Sequence, residues 1–386
     1  MKITIIGCGL IGGSLGLALK RRRAGRHVIT CLDLPERIPA IKEAGVADIV
    51  GSSGSGGSDD NGNPNDFAAL IPESDLVVVA TPVQFVPETL AKLKPFLRGN
   101  TIVTDVGSTK GKIMAEAPEL LPSGVHFIGG HPMAGAERSG VEAADPLLFS
   151  DRVYALCPYP DTPPEALLTM IELVESLGAV PVTIEPEEHD RVVAMVSHLP
   201  HFIAVALMHA AMTGDAEHGM MEQMAGRGFL DMTRLAAANY AMWQGIMETN
   251  ATAIGEAMER FNRSLALITE TMTGPDGEAI WENAAQKRRT MTPETRVRSR
   301  RQDLRTVIDR QDKLLMSVLA RRFDAVRKIG KLKMHQAAPV VDPDRERRMM
   351  VERRDWGKSL SLPEEMIDEL FAVILKHSSL VQEADS

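Results

Sequence analysis

Apolar positions along this chain follow three patterns in succession. Up to about residue 185 they come as short runs closed by Gly, Pro, Ser or Asp: Ile3-Thr4-Ile5-Ile6, Val28 to Asp33, Leu76 to Ala80, Ile102 to Asp105, Val125 to Ile128, Val153 to Cys157 and Val180 to Ile184. Short β-branched runs of this kind are buried strands, and the helical segments between them predict a mostly parallel sheet. From about Glu185 to about Thr273 the strands stop and long helical patterns take over. After Thr292-Pro293 the chain turns Arg-rich. Residues 296–335 read there as one long helix, with Leu304, Ile308, Leu315, Leu319, Val326 and Ile329 along one stripe. His335 to Val341 breaks that helix. Asp342-Pro343 starts a second, with proline at its first position, and Leu362-Pro363 starts a third that runs to about Gln382.

The first strand runs into Gly7-Cys8-Gly9-Leu10-Ile11-Gly12, followed by a helical stretch from Gly13 to about Arg23. Strand, G-x-G-x-x-G and helix in that order form a dinucleotide fingerprint, in which glycines let a pyrophosphate approach a helix N-terminus. The second strand ends on Asp33, about twenty residues further on, where an acid can accept hydrogen bonds from the adenosine ribose. Asp33 would repel a 2′-phosphate, so NAD is favoured over NADP; Arg37 stands nearby as the contrary feature. Loops after strands carry function in such sheets. Three qualify: Thr81-Pro82, Gly107-Ser108-Thr109-Lys110, and the stretch opening at Gly129. The low-complexity segment Gly51 to Pro64 reads as a surface loop without chemistry.

At 386 residues the chain has room for two or three domains. A net charge of −9 argues against nucleic acid or a membrane surface as a general partner, so an anionic substrate has to be met by local Arg and Lys. Three cysteines, Cys8, Cys31 and Cys157, without metal spacing suit a reducing cytoplasm. The apolar stretch Phe202 to Met208 is too short to span a bilayer, and the glycine pattern after Ile6 argues against a signal peptide.

The segment Gly129-Gly130-His131-Pro132-Met133-Ala134-Gly135-Ala136-Glu137-Arg138-Ser139-Gly140 organises the first half. A histidine fixed between glycines and a proline suits a general base with a resting pKa near neutrality, although a Gly-rich turn with an incidental histidine is the bland alternative. Val196-Ser197-His198-Leu199-Pro200-His201 puts two histidines on an apolar helix, and Gly226 to Ala236 puts Arg234 in an apolar segment. Each is by itself compatible with a structural role. His198 and His201 have no third ligand at a convincing spacing, so no metal is expected.

Together these stretches resemble the prephenate dehydrogenase family over roughly residues 1–275. The matching stretches are Gly7 to Ser14, Asp105 to Lys110, Gly129 to Gly140, Ser197 to His201, and Gly228 to Ala236 with Met242-Trp243 beyond. The resemblance implies NAD-dependent oxidative decarboxylation of prephenate to 4-hydroxyphenylpyruvate. His131 would accept the ring-hydroxyl proton as hydride leaves, and Ser108 would orient that hydroxyl and the histidine. Arg234 would hold a carboxylate, with His198 and His201 lining the pocket and Glu137 near its mouth. Gly7, Gly9, Leu10, Ile11, Gly12, Asp33, Thr81 and Pro82 would hold the cofactor. Leu230 departs from the polar or basic residue expected before Asp231, which bears on substrate preference.

On the last long helix, Arg322 and Lys333 share nearly one azimuth about 16 Å apart along the axis, so their side chains can converge on one anion. Arg305 lies about 25 Å from Arg322 and cannot reach that point from its own helix. Residues 298–383 resemble the all-helical chorismate mutase family through Leu304-Arg305, Ile308, Asp312, Leu315, Arg322, Gly330-Lys331, Lys333, Asp342, Arg345-Glu346, Ser378 and Gln382. The resemblance implies that Arg322 and Arg345 hold carboxylates and that Lys333 and Gln382 face the breaking ether oxygen. Asp342 and Glu346 would take the ring hydroxyl, with Ser378 nearby, and Arg305 would cross to the partner's site in an intertwined dimer. Asp342 also suits an N-cap.

The expectation is a cytoplasmic, homodimeric, bifunctional enzyme of tyrosine biosynthesis acting on chorismate and prephenate. Its parts are an α/β Rossmann-type NAD-binding domain (1–185), an all-α dimerisation domain that completes the site (186–285) and an all-α three-helix mutase (296–386). The alternative is a monofunctional prephenate or arogenate dehydrogenase whose C-terminal part only dimerises or senses ligand.

Overall fold

The computed structural model describes residues 1–22, 27–53, 66–135, 138–214 and 219–291, and toward the C-terminus 312, 315–316, 318–330, 333, 342–359 and 362–384. The chain divides into two compact units, Met1–Arg300 and Arg301–Ser386.

The short apolar runs become an eight-stranded sheet. Its strands are β1 (Lys2–Ile6), β2 (Val28–Asp33), β3 (Ile49–Ser52), β4 (Leu76–Val79), β5 (Ile102–Asp105), β6 (His126–Pro132), β7 (Val153–Pro158) and β8 (Val180–Thr183). The order is β3-β2-β1-β4-β5-β6-β7-β8, and every pairing is parallel except β6 with β7. The chain reverses direction of growth between β1 and β4, which opens a crevice at the carboxyl ends of those strands. Burial on both faces explains the continuous apolar runs: Ile3, Leu32, Leu76, Val77 and Val79 are fully enclosed.

Two expectations about elements change. β3 falls where a coil was expected, because Gly51 and Ser52 at the start of the low-complexity stretch pair with Leu32 and Asp33. Asp66 holds that edge by accepting the Ser52 N–H at 2.6 Å. Residues 54–65 lie outside the described residues. β6 also runs further than its apolar pattern, so His131 sits within the strand opposite Ala155 rather than in the loop after it.

Helices α1 (Leu10–Arg22) and α6 (Pro164–Ser176) pack on one face of the sheet, through Leu15, Ala18, Met170 and Val174. On the other, α4 (Val86–Leu93) and α5 (Gly111–Leu120) bury Val86, Leu90, Ile113 and Ala117. That second core continues into the helical half through Ala194, Leu199, Trp243, Ile246 and Ile254. The helical half contains α7 (Pro186–Val193), a π-helical turn (Ala194–His198), α8 (Leu199–Gly214), α11 (Tyr240–Thr249), α12 (Ala251–Thr271) and α13 (Pro275–Thr290), with the short helices α9 (Met221–Met224) and α10 (Arg227–Thr233) between. α2 (Ile38–Ala44) and α3 (Asp66–Leu70) complete the first unit.

Pro186 to Gly214 forms one unbroken helical run, long and apolar enough to cross a bilayer by length and composition. This corrects the estimate made from Phe202 to Met208 alone, because the apolar periodicity continues through polar interruptions such as His198 and His201. Those interruptions face the site described below.

In the second unit, 318–330 (α14), α15 (Pro343–Ser359) and α16 (Glu364–Ala384) are helical. Among the described residues Val326, Ile367 and Ile374 are buried and apolar, and Arg354 clamps α16 with a bidentate pair to Asp368 at 2.7 and 2.9 Å. The break expected at 335–341 and residues 296–311 of the long helix lie outside the described residues.

Candidate active site

The carboxyl ends of β1, β2, β4, β5 and β6 converge on one crevice. The loop after β1 needs glycine for space as well as for freedom: Gly7 takes φ +88°, and a Cβ on Gly12 would stand 2.1 Å from the Gly7 carbonyl oxygen. Gly9, by contrast, has nothing within 4 Å of where its Cβ would be, which leaves an open cradle at the start of α1. Asp33 is buried at the tip of β2, with Oδ2 accepting the Cys8 N–H (2.6 Å) and Oδ1 the Leu34 N–H (2.7 Å). Arg37 approaches Asp33 Oδ1 at 3.9 Å. After β4, the Thr81 hydroxyl is buried with no hydrogen-bond partner, and it follows Ala80, whose carbonyl oxygen lies against Gly7. An open glycine cradle, an acid at the second strand and an orphaned hydroxyl beside the turn fit a dinucleotide.

Cys8 and Cys31, far apart in sequence, face each other in the structure with Cα atoms 6.5 Å apart, a spacing that permits a disulfide. Cys157 is free and buried, and burial pushes its thiol up to about 12.

His131 is positioned by backbone crowding. A Cβ on Gly130 would lie 2.4 Å from the Asp105 carbonyl oxygen, and one on Gly129 would lie 2.7 Å from Met114 Sδ. Gly130 therefore lets β6 press against β5, and Gly129 lets it press against α5. Beneath them Asp105 forms a fully buried ion pair with Lys110, while its oxygens also accept the N–H groups of Gly107 (2.8 Å) and Gly130 (3.1 Å).

His131 Nδ1 lies 2.8 Å from His189 Nε2, and His189 Nδ1 lies 2.8 Å from Asp190 Oδ1. Asp190 in turn accepts the N–H groups of Lys110 and Gly111, both at 2.8 Å, which ties α7 to the loop after β5. Burial, followed by the neighbouring His189, Lys110 and His198, holds the His131 pKa well below the usual imidazole value. This corrects the expectation of a base titrating near neutrality. The two imidazoles that add to the burial, His189 and His198, come from α7 and the π-helical turn, far along the chain.

Ser108 lies at the same strand ends and is half-buried, but among the described residues no hydrogen bond joins it to His131. His198 is buried and its pKa falls to about 4, chiefly through burial. His201 donates Nδ1–H to the Ser197 carbonyl (2.9 Å), which leaves Nε2 as an acceptor. Trp243 packs against both rings, at 5.8 and 4.2 Å between centroids, and its buried indole N–H has no partner. Arg234 is exposed, at the end of α10 beside α8. Glu137 lies outside the described residues. His189, Asp190 and Asn250 were not singled out from sequence, and Lys110 appeared there only as part of its loop. The pair His189-Asp190 at a helix start was the visible sign, but its neighbours exist only in three dimensions.

In the second unit Arg322 donates to Ser378 Oγ at 2.7 Å, and burial with the nearby Arg353 lowers its pKa. Gln382 is buried one turn beyond Ser378 and packs on Gly330. Lys333 and Glu346 are half-buried and Arg345 is exposed. Asp342 accepts the N–H groups of Asp344 (3.2 Å) and Arg345 (3.1 Å), the N-cap role, and the Arg345 bond is the main reason its carboxyl pKa is lowered. Arg353, also not foreseen, stacks on Trp356 at 3.8 Å. Arg305 lies outside the described residues.

Comparison with known proteins agrees with this geometry. The nucleotide-binding domain of prephenate dehydrogenase matches residues 52–183, its dimerization domain 185–286, and type II chorismate mutase 304–383. A Bacillus subtilis prephenate dehydrogenase is 34% identical over 287 residues, 73% of either chain. The A. aeolicus prephenate dehydrogenase, solved with hydroxyphenyl propionate and NAD+, is 30% identical with TM-score 0.67, covering 76% of this chain and 98% of that one. The Synechocystis arogenate dehydrogenase is 28% identical with TM-score 0.63, covering 76% of this chain and all of the other. The chain belongs to the prephenate dehydrogenase family and carries a type II chorismate mutase region behind it.

Proposed function

We propose that residues 1–185 bind NAD, 186–285 complete the dehydrogenase site and dimerise, and 296–386 convert chorismate to prephenate, which the first unit oxidises to 4-hydroxyphenylpyruvate. The observation that carries the dehydrogenase assignment is a desolvated His131 at the carboxyl end of β6, on the same edge of the sheet as the glycine cradle after β1. NAD supplies the hydride acceptor. The chain's own task is to position the ring and remove one proton: His131 Nε2 takes the ring-hydroxyl proton while the C–H hydride and the ring carboxylate, as carbon dioxide, leave an aromatic product. Ser108 lies where it can orient the hydroxyl, and His198, His201 and the free indole N–H of Trp243 line the polar wall. Arg234 meets the side-chain carboxylate, and the family resemblance assigns Glu137 to the mouth of the pocket.

In the second unit Arg322 and Arg345 hold the two carboxylates of chorismate. Lys333 and Gln382 stabilise charge growing on the ether oxygen, with Glu346, Asp342 and Ser378 toward the ring hydroxyl and Arg305 supplied by the partner. A second copy of the chain is the fitting cover for the apolar face of the helical half, and a cytoplasmic homodimer is the form we infer.

His131→Asn, assayed with prephenate and NAD, tests the base. The expected loss is on the order of 100-fold or more in kcat, and a near-normal rate would contradict the assignment.

A further inference from the structure

His189 and Asp190 are both buried, and nothing above gives them work in the reaction. Their hydrogen bonds have a direction fixed from one end. Asp190 accepts a backbone N–H on each carboxylate oxygen, and a carboxylate has no proton to give. His189 Nδ1, 2.8 Å from Asp190 Oδ1, must therefore carry its proton. With the proton on Nδ1, the neutral imidazole of His189 presents a lone pair at Nε2. His131 Nδ1, 2.8 Å from that lone pair, must then hold its own proton there, which leaves Nε2 bare.

We propose that His189, anchored by Asp190, is a positioning residue that fixes the tautomer and ring plane of His131, so that Nε2 is the atom available to take a proton. The proposal rests on the assignment of His131 as base. During the reaction the substrate proton ends on His131 Nε2, the Nδ1 proton stays in place, and its bond to His189 strengthens as the ring becomes cationic. The other charged or titratable groups facing the cluster are Asp105 and Lys110, which neutralise each other, and His198 from the π-helical turn. Asn250 completes the support by donating to the Asp190 carbonyl at 3.0 Å. The same aspartate thus ties the imidazole chain to the Ser108 loop, and the two groups nearest the ring hydroxyl share one anchor.

The test uses the full chain with prephenate and NAD. His189→Leu fills the space but makes neither bond; His189→Gln can donate to Asp190 and accept from His131. NAD binding by each variant reports that the first unit is folded. The expected result is a kcat lower by on the order of 100-fold in His189→Leu with KM changed less than about threefold, and recovery of most of that loss in His189→Gln. Wild-type kcat in His189→Leu overturns the proposal, as does a Gln variant no better than Leu. Should the Leu variant fail to bind NAD, the Gln variant decides, since a rate equal to that of His131→Asn overturns the proposal and a near-normal rate sustains it. If His131→Asn is itself active, the base assignment falls first and takes this proposal with it.

Discussion

His131 was legible from its motif, but its acidity was not. The glycines and proline around it announce a fixed imidazole, whereas the neighbouring imidazoles His189 and His198 stand on α7 and the π-helical turn, some sixty residues later. The sign of the shift sets a pH dependence. With the folded pKa below the ordinary 6.5, the base form persists as pH falls through that value, so dehydrogenase kcat should stay level from pH 8 to about 6 and fall only in more acid solution. An acid limb centred at or above 6.5 in a kcat profile would contradict this. His198 carries a linked cost in stability. Above pH 6.5 it is neutral in folded and unfolded chains alike. Between 6.5 and about 4 the unfolded chain binds a proton that the folded chain refuses. Stability should therefore drop as pH falls through that window, by at most about 3 kcal/mol from this group. Urea unfolding at pH 7 and pH 5 measures the drop, and His198→Asn should reduce it.

At the scale of elements, the strands read plainly because burial on both sides makes them continuous apolar runs. What did not read was the edge and the end: β3 begins inside a low-complexity stretch, and β6 continues through Gly129 to Pro132 because pairing with β7, not local propensity, extends it. Gly130 shows how tightly that extension is packed. In Gly130→Ala the new Cβ meets the Asp105 carbonyl and Thr104 Oγ1, which cannot retreat without disturbing β5. The variant should lose about 1–3 kcal/mol of stability and most dehydrogenase activity. Calorimetry and the prephenate assay read both. In the second unit the helix pattern put Arg322 and Ser378 on different helices, and the structure joins them at 2.7 Å. Arg322→Ala should lower mutase kcat/KM on the order of 100-fold while prephenate oxidation is unchanged. Retained mutase activity would remove Arg322 from the anion site.

At the scale of the whole molecule, the helical half exposes apolar side chains that a lone chain has no use for. Val205 and Met212 lie one above the other on α8, and Leu265 on α12 and Met272 just past its end are open. In sequence these positions are indistinguishable from core, because periodicity reports an apolar face and not what covers it. A second copy covering this face predicts a dimer in light scattering, and Val205→Asp should shift it toward monomer. Two activities in one chain remain the central claim. The most direct measurement supplies chorismate and NAD to the purified protein and follows chorismate loss and NADH formation separately. Chorismate should fall at once and NADH should rise after a lag, as prephenate accumulates. Chorismate left intact while added prephenate yields NADH would contradict the mutase, and no NADH from either substrate would contradict the account as a whole.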